Sequence, residues 1–180
     1  VQSSSGPFRA RWYFIASSLF LCALLSKTVT CSLPAAILLI VWWKRHRIHR
    51  RDVVPLIPLF LIGAVMGLVT MQFEKSAGAL GAEWALTFLD RSLIAGRALW
   101  FYCGKLLWPA ELTFIYPRWE VNPAVWGQWV FPVTSTAVIG GLWLWRRRIG
   151  KGPLVCVLFY VVALAPALGF IDFYPMRYSF

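Results

Sequence analysis

Carboxylates are scarce in this chain. Seven Asp and Glu stand against eighteen Lys and Arg, and charged residues of both signs make up only 14% of the 180 residues. A soluble domain carries about 25% charged side chains, so the shortage excludes a soluble fold and leaves an integral membrane protein. No two of the acids have the spacing of a catalytic pair. The four cysteines, Cys22, Cys31, Cys103 and Cys156, lack metal or redox spacing and lie in or beside apolar stretches, which makes them small apolar packers. Residues 2–7 lack a signal-peptide layout. Val1 is not a start residue and no polar tail closes the chain, so we expect an internal piece of a longer polytopic protein.

What is present is apolar and aromatic: 59% of the residues are hydrophobic, with eleven Trp and a net charge of +11. The charge sits at the ends of apolar segments and many Trp stand where interfacial anchors belong, a pattern of membrane lipid contact and not of nucleic acid. The organising stretch is residues 44–52, where Lys44, Arg45, Arg47, Arg50 and Arg51 lie between two long apolar runs. By the positive-inside bias this block marks the cytoplasmic side. Every other side follows by alternation.

Read in order, residues 12–26 are apolar but short of the roughly 20 that a span needs. Lys27 follows, then residues 28–43 with Pro34 inside. Two short helices meeting at Lys27 fit better than one helix that would bury it. Residues 53–71 return to the far face, and 72–91 form a mixed loop. On a helix running through 92–108 from the residues just before it, Asp90, Arg91, Arg97 and Lys105 share one arc at 100° per residue, while Leu93, Leu99, Trp100, Leu106 and Leu107 lie outside it. That is an amphipathic helix lying at the interface or re-entering it, ended by Pro109. A polar and aromatic loop follows, then spans at 126–145 and 153–171, separated by Arg146, Arg147, Arg148 and Lys151. This layout puts Arg9, Arg11 and the two basic clusters on the cytoplasmic side. Lys27, Lys75, Arg91, Arg97, Lys105, Arg118 and Arg177 fall opposite, with every acid except Asp52. The expected fold is all-α: one polytopic membrane domain over 1–180, with about five spans, an extracytoplasmic interfacial helix and no complete soluble domain.

The basic clusters need no role beyond topology and contact with anionic lipid. The far face mixes charge with Tyr, Trp and Pro over four loops. Lys27 costs about 2.5–3.5 kcal/mol if left at the bilayer centre. It either snorkels or holds a lipid-linked phosphate as a point charge. Arg177, in an aromatic setting, either grips a phosphate bidentately or stacks on Tyr174 or Tyr178. Arg97 and Lys105 contact headgroups or a donor phosphate. Tyr116, Arg118, Glu120, Asp172 and Tyr178 line or order the loops around such a cleft.

These residues carry a resemblance. Leu24, Leu25, Ser26 and Lys27, entering an apolar segment with Pro34, look like the "LLxK" element of GT-C superfamily glycosyltransferases. Arg97, Lys105, Leu106, Leu107, Pro109, Leu112, Tyr116 and Pro117 resemble the "Y…LLxP…LS…DYP" stretch. That stretch belongs to the transmembrane, tetratricopeptide-repeat O-mannosyltransferase-like proteins and their bacterial relatives. Leu164, Ala165 and Pro166, followed by Tyr174, Pro175, Met176, Arg177 and Tyr178, resemble the next element. The resemblance covers the chain from about Phe14 onward, and order and spacing carry it. It implies sugar transfer from a polyprenyl-phosphate donor to an acceptor, in some cases a protein, on the extracytoplasmic face. The basic loops and the absence of paired Cys fit a bacterial inner membrane, and an endoplasmic reticulum membrane fits nearly as well. The resemblance also implies a catalytic acid in a loop before Val1, often with a divalent metal; no cofactor is expected in this chain itself. Ile115 stands where relatives often have Asp. Lys27, Arg97 and Arg177 would bind the donor phosphate. A transporter and a non-catalytic membrane scaffold remain open as alternatives: a transporter would show inverted repeats, and in a scaffold Lys27 and Arg177 would tolerate neutral substitution.

Overall fold

The structure, a computed structural model, describes residues 6–45, 47–76, 86–110, 112–113, 116 and 119–168. Among these there is helix, turn and coil but no strand, so the fold is all-α. The helices are α1 (Gly6–Ser26), α2 (Leu33–Arg45), the single turn α3 (Arg50–Val53), α4 (Ile57–Ser76), α5 (Phe88–Leu107), α6 (Val130–Trp145) and α7 (Gly152–Leu164). Among the described residues one helical stretch, Arg50–Thr70, is long and apolar enough to cross a membrane; Ala10–Ser26 and Gly152–Ala167 are apolar but shorter.

The break at Lys27 is present. Its backbone is extended (φ −152°, ψ 111°), and the 3-10 turn Thr28–Ser32 leads directly into α2. Several boundaries differ from those read along the sequence, among them the end of the last span, where α7 stops at Leu164 and a 3-10 turn follows. α1 begins at Gly6, so Arg9 and Arg11 belong to the helix, with Pro7 early in its first turn, where a missing N–H is harmless. α4 runs past Met71 to Ser76. α5 starts at Phe88, because Thr87 and Asp90 form a capping box in which the Thr87 hydroxyl accepts from the Asp90 N–H and the Asp90 carboxylate accepts from the Thr87 N–H at 2.9 Å. Thr87-x-x-Asp90 was a readable start signal. Farther on, residues 126–129 are a 3-10 turn and α6 proper begins at Val130.

Contacts sort the helix ends into two groups. At one end the Tyr13 hydroxyl donates to the Pro55 carbonyl at 2.7 Å, Arg45 pairs with Asp52 at 2.7 Å, and Trp42 stacks on Trp143. At the other end Thr28 and Thr70 share a hydroxyl hydrogen bond, and the Thr28–Ser32 turn packs on the 3-10 turn Ala165–Ala167. The chain thus passes between the two ends along α1, α2, α4, α6 and α7. Phe20, Leu24, Leu56 and Leu59 form the core that joins α1 to α4, with Ile37 and Leu38 of α2 against it.

Outward faces are apolar. Phe14, Leu19, Leu61, Leu68 and Leu144 are each 60–76% exposed, and among the described residues no polar or charged side chain is buried. Helix hydroxyls are satisfied locally: Ser17, Thr70, Ser92, Thr134, Ser135 and Thr136 each donate to the carbonyl four residues back, at 2.7–2.9 Å.

Candidate functional site

α5 is held by α6 through an unusually close approach. A Cβ added at Gly96 would lie 2.6 Å from the Pro132 backbone nitrogen, so only glycine fits at this crossing. From there α5 advances beside α6 in the same direction. Trp100 Nε1 donates to the Phe131 carbonyl at 3.3 Å, and Leu99, Trp100 and Cys103 face Ser135, Val138 and Ile139 across an apolar cavity of about 120 Å³. The Tyr160 hydroxyl of α7 donates to the Leu99 carbonyl at 2.7 Å across the same cavity. α5 therefore enters the bundle from the Lys27 end and does not lie flat across that end.

After Trp108 the chain doubles back along α5. Lys105 Nζ donates to the Ala110 carbonyl at 2.6 Å; farther back, Tyr116 and Trp119 meet the Phe101 ring edge-on at 5.0 and 5.4 Å between centroids. Beyond them, Trp119 lies 4.6 Å from the Arg97 guanidinium, and Glu120 and Val121 stand over Leu93 and Ile94. Each step back along the loop meets a residue one or two helical turns nearer the start of α5. The result is an in-and-out hairpin. Its apolar tip, Leu106, Leu107 and Trp108, is 73–79% exposed.

Two members of the polar arc read from the sequence, Arg97 and Lys105, are covered by this return segment. Arg97 is half-buried and its guanidinium is held over Trp119; among the described residues it has no carboxylate partner and no hydrogen bond. Its charge is placed but not neutralised, since a ring face orients a cation with only about 0.5–2 kcal/mol. Lys105 sits 5.7 and 5.6 Å from the Phe101 and Tyr116 centroids, so its ammonium is turned inward at the hairpin tip. The base of the loop is pinned by Gln128, which accepts from the Asn122 N–H and donates to the Glu120 carbonyl, and by Trp129 Nε1 on the Pro123 carbonyl.

No known family, curated protein or solved structure matches this chain.

Of the residues singled out in the sequence, Tyr116 joins Arg97 in the aromatic cluster, and Glu120 is an exposed neighbour of it. Lys27 is exposed at the same end: the turn that follows it packs on Ala165–Ala167, and Leu168 next to that turn packs on Ala95 and Ala98 of α5. Arg118, Asp172, Arg177 and Tyr178 lie outside the described residues. Two site-forming residues escaped the sequence reading, Trp119 as the seat of Arg97 and Phe101 as the hub of the ring cluster. Phe101 and Arg97 are four apart on a helix and so share a face, which was the available signal.

Proposed function

We propose that this chain is the membrane-embedded part of a glycosyltransferase that moves a sugar from a polyprenyl-phosphate donor to an acceptor on the extracytoplasmic face. The membrane setting is supported by the outward apolar faces of the helices and by hydroxyls satisfied within them, which suit a solvent without hydrogen-bonding capacity. In this reading the structure is a bundle of about five spans (α1, α2, α4, α6 and α7), and α5 with its return segment is re-entrant from the far face. The charge pattern orients the Lys44–Arg51 end toward a bacterial cytoplasm.

The observation that carries the proposal is Arg97: a half-buried, aromatic-seated guanidinium without an anionic partner among the described residues. Its planar fork suits two oxygens of a phosphate. In the reaction the acceptor oxygen bonds to the anomeric carbon as the bond from that carbon to the phosphate oxygen breaks. The acceptor proton passes to a base supplied from outside this chain. Arg97 and the exposed Lys27 stabilise the phosphate as it leaves, while Tyr116 and Trp119 line the approach.

The test is transfer from radiolabelled polyprenyl-phosphate sugars by the full-length protein in membranes, with Arg97→Ala and Lys27→Ala at matched expression. Arg97→Ala should lower transfer about 100-fold, the scale of losing one preorganised donor to developing charge. Transfer that survives both substitutions discards the site, and no transfer with any donor discards the reaction. A transporter reading has one observation in its favour, the hairpin built beside the α6–α7 pair, because such broken elements line transport pathways; donor uptake without transfer in the same membranes would favour it.

A further inference from the structure

The ring that seats Arg97 belongs to residues 119–122, which are neither helix nor strand. Their backbone groups therefore have to be held from outside the stretch. Gln128, on the 3-10 turn Trp126–Trp129 that opens into α6, does this. Its side-chain amide accepts from the Asn122 N–H at 3.1 Å and donates to the Glu120 carbonyl at 3.3 Å. A primary amide carries both a donor and an acceptor, which suits it to grip a backbone that has lost its regular partners. Glu120 follows Trp119 directly, and Gln128 borders the same small recess as Arg97 and Trp119. The opposite wall of the seat is tied to the same place. Gly96, next to Arg97, is the point at which α5 meets the backbone of Pro132. Helix wall and loop wall are thus both referred to one short stretch, residues 128–132.

We propose that Gln128 is a positioning residue: by fixing residues 120 and 122 it holds the Trp119 ring against the Arg97 guanidinium and so sets the direction in which that guanidinium points. A cation on a ring face sits in a shallow well, so its orientation is only as firm as the ring beneath it. Gln128 acts through Trp119 and makes no contact with phosphate itself. That the oriented guanidinium receives a donor phosphate rests on the transferase reading above; the orientation does not.

Arginine-selective NMR of the full-length protein in a neutral detergent tests it, because protons held over an indole face resonate upfield. The Arg97 side-chain signal, identified by its loss in Arg97→Lys, should be displaced upfield. Arg146, 4.1 Å from the Trp143 centroid, should be displaced likewise and serves as an internal reference. Gln128→Met keeps the side-chain length and removes both hydrogen bonds. Glu120 and Asn122 are exposed, so water takes up the freed groups and Tm should fall by no more than about 3 °C. In this variant the Arg97 signal should lose most of its displacement while the Arg146 signal stays. Trp129→Phe, which removes the tie to the Pro123 carbonyl, should move neither. An Arg97 signal unmoved by Gln128→Met overturns the proposal. So does an equal shift in Trp129→Phe, which would report general loosening of the loop. Should Gln128→Met fail to fold, Gln128→Asn, one methylene short of both partners, is read in the same way. In membranes, transfer from radiolabelled polyprenyl-phosphate sugars should fall about 10-fold in Gln128→Met, and no further when Gln128→Met is added to Arg97→Ala. Undiminished transfer in the first, or a further loss in the second, overturns the positioning role. No transfer by wild type would sink the transferase reading and leave the NMR signal to decide this one.

Discussion

At the scale of single residues, Gly96 carries more structure than any charged side chain. Its missing Cβ lets the Pro132 backbone approach to where no side-chain atom fits, and that contact sets where α5 enters the bundle. Gly96→Val should displace α5 and lower Tm by several degrees, at a cost of about 1–3 kcal/mol for overpacking. Gly67, which has open space around it, should accept alanine without loss. Parallel thermal unfolding of the two variants checks this. Sequence alone exposed the charged members of the site because a lone cation in an apolar stretch is conspicuous, as with Lys27 and Arg97. It hid Trp119 and Gly96, because a Trp in a loop and a Gly in a helix have many ordinary uses. Only the contact across the hairpin distinguishes them.

At the scale of elements, the hairpin explains a mixture that an interfacial helix does not. A helix lying flat would turn its charged arc to water, whereas here the return segment covers Arg97 and Lys105 and leaves Leu106, Leu107 and Trp108 outside. The 3.6 periodicity of residues 92–108 was legible, as was the break at Lys27, since both follow from local spacing. The doubling back was not, because residues 110–122 have neither helical nor strand periodicity, and Tyr116 and Trp119 are placed by ring contacts with Phe101 and Arg97. If the tip lies within lipid, a cysteine at Leu107 should resist a membrane-impermeant maleimide added from either side, while one at Thr87 should react from the far side. The four native cysteines are replaced first. Labelling of both positions to the same extent would return α5 to the interface.

At the scale of the whole molecule, direction is set by a few ties between helix ends. Tyr13 with Pro55 and Trp42 with Trp143 gather one end; Thr28 with Thr70 gathers the other. All-α architecture was readable from composition and run length, and the structure has it. Which helices touch was not readable, since apolar runs of similar length are interchangeable until particular rings and hydroxyls meet. The proposed topology gives a direct expectation. Cysteines replacing Arg148 and Gln72 should be labelled from opposite sides of sealed vesicles, Arg148→Cys from the cytoplasmic side. Labelling from a common side would overturn the alternation of spans.

The hairpin is also continuous in sequence. Arg97, Phe101, Lys105, Tyr116 and Trp119 meet one another without help from α1, α2 or α4, and closing so short a loop carries little entropic cost. During synthesis the cation-bearing pocket can therefore assemble as soon as the return segment has left the ribosome, before Pro132 and the rest of α6 arrive to clamp Gly96. Binding surface and anchorage are thus acquired in separate steps, and a chain halted between them would present a formed pocket that has no fixed position in the bundle.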